Sequence, residues 1–254
     1  MAVKKKTPLP WPPRRLKKDA IVEALFEIRF RTNQPEQIVV GRLSDKKEWK
    51  KYTVSRTAFA DVPAQIRNSN PALKFHAIVD LVAPDRTRTI KIGANIVSYH
   101  VLKKYCGWTQ FKTELDDLVA HLEKTISDIS IERLGLRYLN ALTSDAHHIT
   151  SVSDLNLAIT LATQPITDPL NIAVLRKISS EFMAQYKVAS VEFIQGNIPT
   201  STVALVDVDV YTPAGFVRRG VKSISKWLER AHTYEKEIFF SILPRSIVIK
   251  LQAE

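Results

Sequence analysis

Apolar and charged residues alternate along the first regular element of the chain. Between residues 21 and 31 the apolar positions are Ala24, Phe26, Ile28 and Phe30, and most positions between them are charged, namely Glu23, Glu27, Arg29 and Arg31. A period of two residues places one set of side chains on each face of a β-strand. The pattern therefore predicts a strand with one buried face and one face in water.

A second pattern, with apolar residues three or four positions apart, begins at Trp108. Its apolar stripe consists of Phe111, Leu115, Leu118, Val119, Leu122 and Ile126. This spacing predicts an amphipathic helix from Trp108 to about Ser127. A shorter helix is predicted from Glu36 to about Asp45. Strands are predicted at residues 73–82, 87–92 and 96–102 before the long helix, and at residues 129–142 after it.

The C-terminal part of the chain repeats this order of elements. Strands are predicted at residues 172–184, 187–195 and 202–211, followed by a long helix at 216–243 and a last strand at 247–251. Antiparallel meanders with one helix-covered face are the natural packing for such elements. The sequence therefore predicts an α+β fold of two similar halves, residues 19–145 and 146–254, each an antiparallel strand meander covered by one long helix.

Positive charge is concentrated at the N-terminus. The formal net charge is +11. Residues 1–18 contain no acidic residue and hold the basic residues Lys4, Lys5, Lys6, Arg14, Arg15, Lys17 and Lys18, together with Pro8, Pro10, Pro12 and Pro13. This composition predicts a disordered, basic, proline-rich tail. Such a tail either binds nucleic acid or an acidic partner, or only keeps the protein soluble.

Several classes of protein are disfavoured by what the sequence lacks. No apolar run approaches the ~20 residues that span a bilayer, and prolines occupy the place where a signal peptide needs its apolar segment, so we expect a cytoplasmic protein without membrane contact. A single cysteine, Cys106, excludes an internal disulfide and a multi-cysteine metal cluster. Without a glycine-rich phosphate loop, a GxSxG elbow or an HExxH pair, no cofactor is expected, and a non-enzyme is favoured.

Two acidic residues on one predicted strand, Asp207 and Asp209, are the candidate metal ligands. Carboxylates at positions i and i+2 share one face and can hold a divalent ion, as in many nucleases. A third ligand would come from Glu192 or His232. The alternative is that Lys187 and Arg176 on neighbouring strands pair with these carboxylates, because charges on the wet face of an antiparallel sheet are ordinary.

The predicted strand at 129–142 places two sets of side chains on opposite faces. Arg137 and Leu139 share one face, and Leu136, Tyr138 and Asn140 share the other. Asn140 has the donors and the acceptor to satisfy a neighbouring backbone edge. For Arg137, pairing with Glu114 or Asp117 on the covering helix is favoured over ligand binding.

Six short motifs, in a fixed order along the chain, carry a resemblance to a known family. They are the strand Ala20–Phe30, with Ala20 where the family has proline; the hinge Gly93-Ala94-Asn95; the Tyr-x-Gly-Trp-x-x-Phe pattern of Tyr105–Phe111; Leu-Arg-Tyr-x-Asn at Leu136–Asn140; the Asp-x-Asp strand Val206–Val210; and the histidine-containing helix Trp227–Phe239. Together they resemble a sporadically distributed, uncharacterised prokaryotic family of roughly this length. The resemblance implies no catalytic residue, and the family's patchy distribution implies mobile or defence-linked genes.

The favoured function is therefore that of a non-catalytic interaction or regulatory protein, linked to prokaryotic defence or toxin–antitoxin systems, with a protein partner; a homo-oligomer is also compatible with the sequence. One alternative is sequence-independent nucleic-acid binding. Its candidate residues are Lys4, Lys5, Lys6, Arg14 and Arg15 in the tail and Lys46, Lys47, Lys50 and Lys51 in a second basic stretch. The other alternative is a metal-dependent nuclease that uses Asp207 and Asp209.

Overall fold

A computed structural model of the protein describes residues 11–13, 16–167, 169–194 and 198–251. Its strands are β1 (Ile21–Arg31), β2 (Thr53–Arg56), β3 (Val79–Val82), β4 (Arg88–Gly93), β5 (Ile96–Leu102), β6 (Ser130–Thr143), β7 (Thr160–Leu161), β8 (Gln164–Pro165), β9 (Asn171–Lys177), β10 (Met183–Ser190), β11 (Thr202–Tyr211) and β12 (Arg218–Arg219). Its α-helices are α1 (Glu36–Ser44), α2 (Ala64–Ser69), α3 (Trp108–Thr125), α4 (Ser144–His147), α5 (Ile224–Ile242) and α6 (Arg245–Leu251).

One antiparallel sheet forms the centre of the molecule. Its strands lie in the order β2-β3-β4-β5-β1-β6-β11-β10-β9, and β12 pairs with the start of β6. β7 and β8 pair separately. The predicted mixture of helices with a large antiparallel sheet is confirmed. Strands from both predicted halves join this sheet, because β6 pairs with β1 on one side and with β11 on the other.

The long helices cover one face of the sheet, which we call the covered face. α3 packs on β5, α5 packs on β6 and β11, and the two helices also touch each other. The predicted stripe of α3 is confirmed, since Phe111, Leu115, Leu118 and Leu122 are fully buried. From β1, Ala24, Phe26, Ile28 and Phe30 enter the same core, as their alternation predicts. Every helix in the described part of the chain is too short or too polar to cross a bilayer.

The opposite face of the sheet, which we call the charged face, carries the polar positions of the same strands. Glu27 and Arg29 of β1, Arg137 of β6 and Asp207 and Asp209 of β11 lie here. The chain around Phe75, His76 and Ala77 forms the rim of a cavity over part of this face. The placement of the charged residues follows from the same period of two that buries their neighbours.

The strands predicted at 172–184 and 187–195 have the wrong boundaries. A turn closed by the hydrogen bond from Ile178 N–H to Phe182 O (3.0 Å) separates β9 from β10. β10 then ends at Ser190 and a short 3₁₀ turn follows. The error arises because the apolar residues of the turn prolong the pattern of the strand, so that periodicity alone does not mark the reversal.

Two further boundaries near the C-terminus differ from the predictions. The helix predicted from residue 216 begins only at Ile224, after the short strand β12. The segment 247–251 is not a strand but part of helix α6, whose first turn is closed by bonds from the N–H groups of Ile247 and Val248 to Pro244 O (both 3.0 Å). Val248 and Leu251 are both buried, and their spacing of three residues puts them on one face of a helix. A strand would have put Ile247, Ile249 and Leu251 on one face, but Ile249 is exposed.

The predicted N-terminal tail, residues 1–18, lies partly outside the described residues, and so do Lys4, Lys5, Lys6, Arg14 and Arg15. Within the described part, Leu16 is buried in the core. The N–H of Lys17 donates to Leu251 O at 2.7 Å. The segment that leads into β1 is therefore packed against α6.

Candidate functional site

A cavity of about 310 Å³ opens on the covered face, between the start of α3, strand β6 and helix α5. This volume lies at the small end of the range for ligand-binding sites. The segment before β1 closes its remaining side. Five of its fifteen lining residues are tyrosine, tryptophan or phenylalanine, and few are charged. The lining comprises Leu16, Asp19, Ala20, Ile21, Tyr105, Gly107, Trp108, Thr109, Tyr138, Asn140, His232, Glu235, Lys236, Phe239 and Phe240.

The turn before α3 positions the first aromatic wall. Gly107 has a φ of +86°, in the left-handed region where glycine is strongly favoured, and it directly precedes the helix. This turn brings the Trp108 ring against the imidazole of His232, with ring centroids 3.9 Å apart and nearly parallel planes. The indole Nε1 donates to Glu229 Oε2 at 3.1 Å. Trp108 thus links the start of α3 to the middle of α5.

Two tyrosines form the second wall. The hydroxyls of Tyr105 and Tyr138 are 3.0 Å apart and share a hydrogen bond. Phe111 contacts both rings edge to face from behind. Burial raises the pKa of Tyr105 and of Tyr138 far above the ordinary value, so both hydroxyls stay protonated at physiological pH. One hydroxyl hydrogen of the pair is free of the shared bond and is available to a bound molecule.

Asn140 lines the cavity beside Tyr138. Its Nδ2 donates to Val206 O at 3.2 Å, across the β6–β11 pair. This contact agrees with the expected role of the amide in satisfying a neighbouring strand. The amide nitrogen is therefore engaged in structure, and the amide oxygen is the group that remains for the cavity.

Glu235 is the unusual residue of the site. It projects from α5 into the cavity, and its side chain is only 6% exposed. In the described part of the chain, no donor lies within hydrogen-bonding distance of its carboxylate. Burial raises the pKa of Glu235 to about 8, and the charge of Lys236 opposes this only in part. The carboxyl is therefore mostly protonated at neutral pH.

His232 lies one helical turn before Glu235 on α5. Its Nδ1 is buried without a hydrogen-bond partner among the described residues, and it is 4.0 Å from Glu235 Oε2. Burial lowers the pKa of His232 to about 3, with a smaller contribution from Lys236. The distance exceeds that of a hydrogen bond, and burial opposes a charge on either group, so we assign this as a neutral pair rather than an ion pair.

The charged face is organised differently, around Arg133. Its guanidinium donates to Glu27 Oε1 at 2.7 Å and to Asp209 Oδ2 at 2.8 Å, so it joins β1 to β11 across β6. A Cβ atom on Gly135 would lie 2.5 Å from Nη1 of this arginine. Glycine at 135 therefore leaves the space in which the guanidinium lies over the strand.

Asp207 and Arg137 form the second pair of this face. Arg137 binds both carboxylate oxygens of Asp207, at 2.7 and 2.6 Å. The sequence prediction that Arg137 pairs with Glu114 or Asp117 is wrong; Glu114 binds Arg88 instead. The partners of the two aspartates are arginines of β6, not the lysine and arginine of β10 and β9 considered from the sequence.

The structure separates the candidate metal ligands. Asp207 and Asp209 lie on the charged face, whereas His232 lines the cavity on the covered face. Glu192 lies in the 3₁₀ turn after β10. Among the described residues, no group of three or more histidine, cysteine, aspartate or glutamate side chains has the arrangement of a metal site.

The second basic stretch forms an exposed patch near the end of α1. Lys47, Lys50 and Lys51 are exposed, and Lys46 lies over the ring of Trp49 at 5.3 Å. Trp49 itself is buried and packs edge to face on His121, so its ring is not free to stack on a base. The acidic Asp45 and Glu48 alternate with these lysines.

Comparison of the chain with models of known protein families and with curated proteins gives no match. The resemblance described above therefore stays an expectation. The structure nevertheless brings residues of four of its motifs to one place, since the cavity lining includes Ala20, Tyr105, Trp108, Tyr138, Asn140 and His232.

Glu235 was not among the residues predicted from the sequence, although His232, one helical turn earlier, was named as a possible third metal ligand. His232 instead stacks on Trp108. Glu235 falls on the buried stripe of α5, four residues after Ala231 and three before Ile238. An acidic residue at an apolar position of a helix is the signal that would have identified it.

Proposed function

We propose that the protein is a non-catalytic regulatory protein that binds a small organic ligand in the cavity beside α5. The observation that carries this proposal is the Glu235 carboxyl, which is buried, lines the cavity and has no hydrogen-bond partner among the described residues. Burying such a group without a partner costs about 1–3 kcal/mol. A bound molecule that supplies the missing partner recovers this cost.

The cavity walls support a binding role. Aromatic rings provide a large apolar surface, and the polar groups of Glu235, Asn140 and the tyrosine pair provide a few oriented hydrogen-bonding sites. This combination is characteristic of small-molecule sites. Both predicted halves of the chain contribute, since Trp108 and Tyr138 come from the first and Glu235 from the second.

The segment before β1 supplies the link from ligand to regulation. Leu16 and Asp19 line the cavity and follow directly on the basic N-terminal residues. A ligand in the cavity touches this segment and changes its packing against α6. Partner binding through the basic tail would then depend on the ligand, as expected for the interaction protein inferred from the sequence. The link to prokaryotic defence rests on the family resemblance alone.

A second candidate function is acid–base catalysis by Glu235, favoured by the raised pKa of this residue. A general acid works best when its pKa lies near the working pH, and a pKa of about 8 meets this condition. His232 Nδ1 lies 4.0 Å from Glu235 Oε2, and burial keeps this imidazole neutral. Chemical change of a bound compound, followed by mass spectrometry, distinguishes catalysis from binding.

The proposal is tested with a library of compounds of up to about 15 non-hydrogen atoms, the size that a cavity of this class admits. Thermal unfolding is measured for the wild type and for Thr109→Trp, which narrows the cavity at an exposed lining residue. We expect some compounds to raise the Tm of the wild type and to lose this effect in Thr109→Trp. Thr113→Trp, one turn further along α3 and outside the cavity lining, is the matched control. A library without any such compound would refute the proposal.

A further inference from the structure

We propose that the cavity selects a small organic ammonium ion with an apolar body, and that Glu235 is its counter-ion; this rests on the proposed binding function and names its ligand class. Charge balance is the first feature that favours a cation. The charged side chains of the lining are Asp19, Glu235 and Lys236, and His232 is neutral. Asp19 and Lys236 each have interactions with other groups, whereas an ionised Glu235 has no hydrogen-bond partner among the described residues and presents one negative charge that a single cation compensates.

The cavity walls are the second feature that favours a cation. Trp108, Tyr105, Phe239 and Phe240 line the same cavity as Glu235. Aromatic faces attract organic cations through the ring quadrupole, and this attraction is stronger where water is excluded. An anionic ligand would meet both the carboxyl and these rings unfavourably. A neutral ligand would gain the apolar contacts but would leave the carboxyl with no ionic partner.

Hydrogen bonding is the third feature that favours an ammonium ligand. An ammonium group has only donors, and the cavity offers acceptors in the Glu235 carboxylate, the Asn140 amide oxygen and the hydroxyl oxygens of Tyr105 and Tyr138. Although the tyrosine pair keeps one free hydroxyl hydrogen, these four side chains together present several acceptor atoms to a bound ammonium group.

A consequence of this assignment is that binding releases a proton. The empty site holds Glu235 mostly protonated at pH 7, because its pKa is about 8, and the ammonium ion binds the ionised form. The groups that face Glu235 are Asp19, Tyr105, Tyr138, His232 and Lys236. Burial shifts the pKa values of the two tyrosines and of His232 away from neutral pH, so these three groups keep their protonation state there. Affinity should therefore increase about tenfold from pH 6 to pH 7 and level off above pH 8.

The test uses three matched trios of probes on phenylethyl, cyclohexylethyl and n-butyl frames. Each trio consists of an ammonium ion, an alcohol and a carboxylate on the same apolar frame. The carbon number of the carboxylate equals that of the ammonium ion or is smaller by one. Binding is measured by isothermal titration calorimetry on the full-length protein in phosphate and in MOPS, whose ionisation enthalpies differ. We expect at least one ammonium ion to bind at least tenfold more tightly than its alcohol, with no detectable binding of the carboxylate and with close to one proton released.

The variant Glu235→Gln should remove this preference, so that the ammonium ion and the alcohol bind equally and no proton is released. Glu237→Gln, an exposed position two residues along α5, should behave as the wild type. Binding of alcohols in preference to ammonium ions would overturn the assignment while leaving the proposed binding function intact. If no probe of any trio binds at about 5 mM, a concentration that detects dissociation constants in the millimolar range, the assignment fails. The compound library then decides the binding function separately.

Discussion

The two faces of the sheet treat buried acidic groups in opposite ways. On the charged face, Asp207 and Asp209 are each bound by an arginine of β6 at 2.6–2.8 Å. On the covered face, Glu235 is more deeply buried and has no hydrogen-bond partner among the described residues. Paired carboxylates serve the fold, because their charges are already compensated. The unpaired one lowers stability and is therefore the better candidate for ligand binding.

This comparison also explains why the aspartates, which attract attention in the sequence, are the weaker functional candidates. Their oxygens are engaged by Arg133 and Arg137, and releasing either aspartate for a metal ion would leave an arginine unpaired on a partly buried surface. Glu235 requires no such exchange. An enzymatic role for Asp207 and Asp209 stays a prediction that the geometry does not favour.

The largest change in the free energy of unfolding is expected when Phe111, which supports the cavity from the core, is replaced. Phe111 is fully buried and contacts the rings of Tyr105, Trp108 and Tyr138. Replacing it with alanine should lower the free energy of unfolding by about 3–5 kcal/mol through cavity formation, as measured by denaturant titration. A change below about 1 kcal/mol would show that the stripe of α3 does not support the covered face.

The second prediction concerns the unpaired carboxyl directly. The pKa of Glu235 rises from an ordinary 4.5 to about 8 on folding, so the folded protein binds more protons between these values and loses stability as the pH increases through this window. Glu235→Gln should therefore be more stable than the wild type at pH 8, by on the order of 3 kcal/mol, and the gain should shrink toward pH 5.

Thermal and chemical unfolding at several pH values measure this gain, and His232 provides an independent check. Its pKa falls from 6.5 to about 3 on folding, so it contributes the opposite trend, a loss of stability as the pH decreases from 6.5 toward 3. In Glu235→Gln, the loss of stability toward acidic pH should persist, and the loss of stability between pH 4.5 and about 8 should disappear. Equal stability of variant and wild type at pH 8 would contradict the burial of an unpaired carboxyl.

The third prediction breaks the pairing on the charged face. Arg133→Met leaves Glu27 and Asp209 without their shared cation and should lower the free energy of unfolding by about 2–3 kcal/mol. This is less than for a fully buried pair, because the three side chains are about one-fifth exposed. Arg29→Met is the control, since Arg29 also binds Glu27 but is one-third exposed, and should cost less than about 1 kcal/mol. Adding Asp209→Asn to Arg133→Met should restore part of the loss; no restoration would mean that the two residues are not coupled.

The smallest effect on stability is expected for charges that are neither paired nor buried. Replacing the exposed Lys47, Lys50 and Lys51 with alanine should change the free energy of unfolding by less than about 0.5 kcal/mol. If these lysines and the tail bind nucleic acid, the salt dependence of duplex binding should fall by about one logarithmic unit per phosphate contact that is lost. No retention of the wild type on DNA or RNA at about 50 mM salt would eliminate this alternative.

Local periodicity in the sequence determined most of the elements and their faces. The alternation in β1 and β11 and the stripe of α3 predict which side chains face the core, because burial of one face repeats every two or 3.6 residues regardless of distant contacts. Both aspartates are placed on the wet face for this reason, whereas the pairing predicted for Arg137 put it on the face that the helices cover, and the structure places it on the charged face. Where an apolar segment is short, as at residues 247–251, period two and helical spacing coincide, and the prediction of a strand failed.

Only the tertiary structure decided which charges are paired and which one is not. Arg137 and Asp207 are 70 residues apart along the chain, and their contact depends on the register of β6 against β11, which local pattern does not encode. In the sequence, Glu235 is an acidic residue at an apolar position of a helix, and this position does not reveal how deeply it is buried or what lies opposite it. Its burial arises because α5 packs on β6 while α3 and the segment before β1 close the space around it, and the cost of burying a carboxyl depends on those distant neighbours rather than on its own helix.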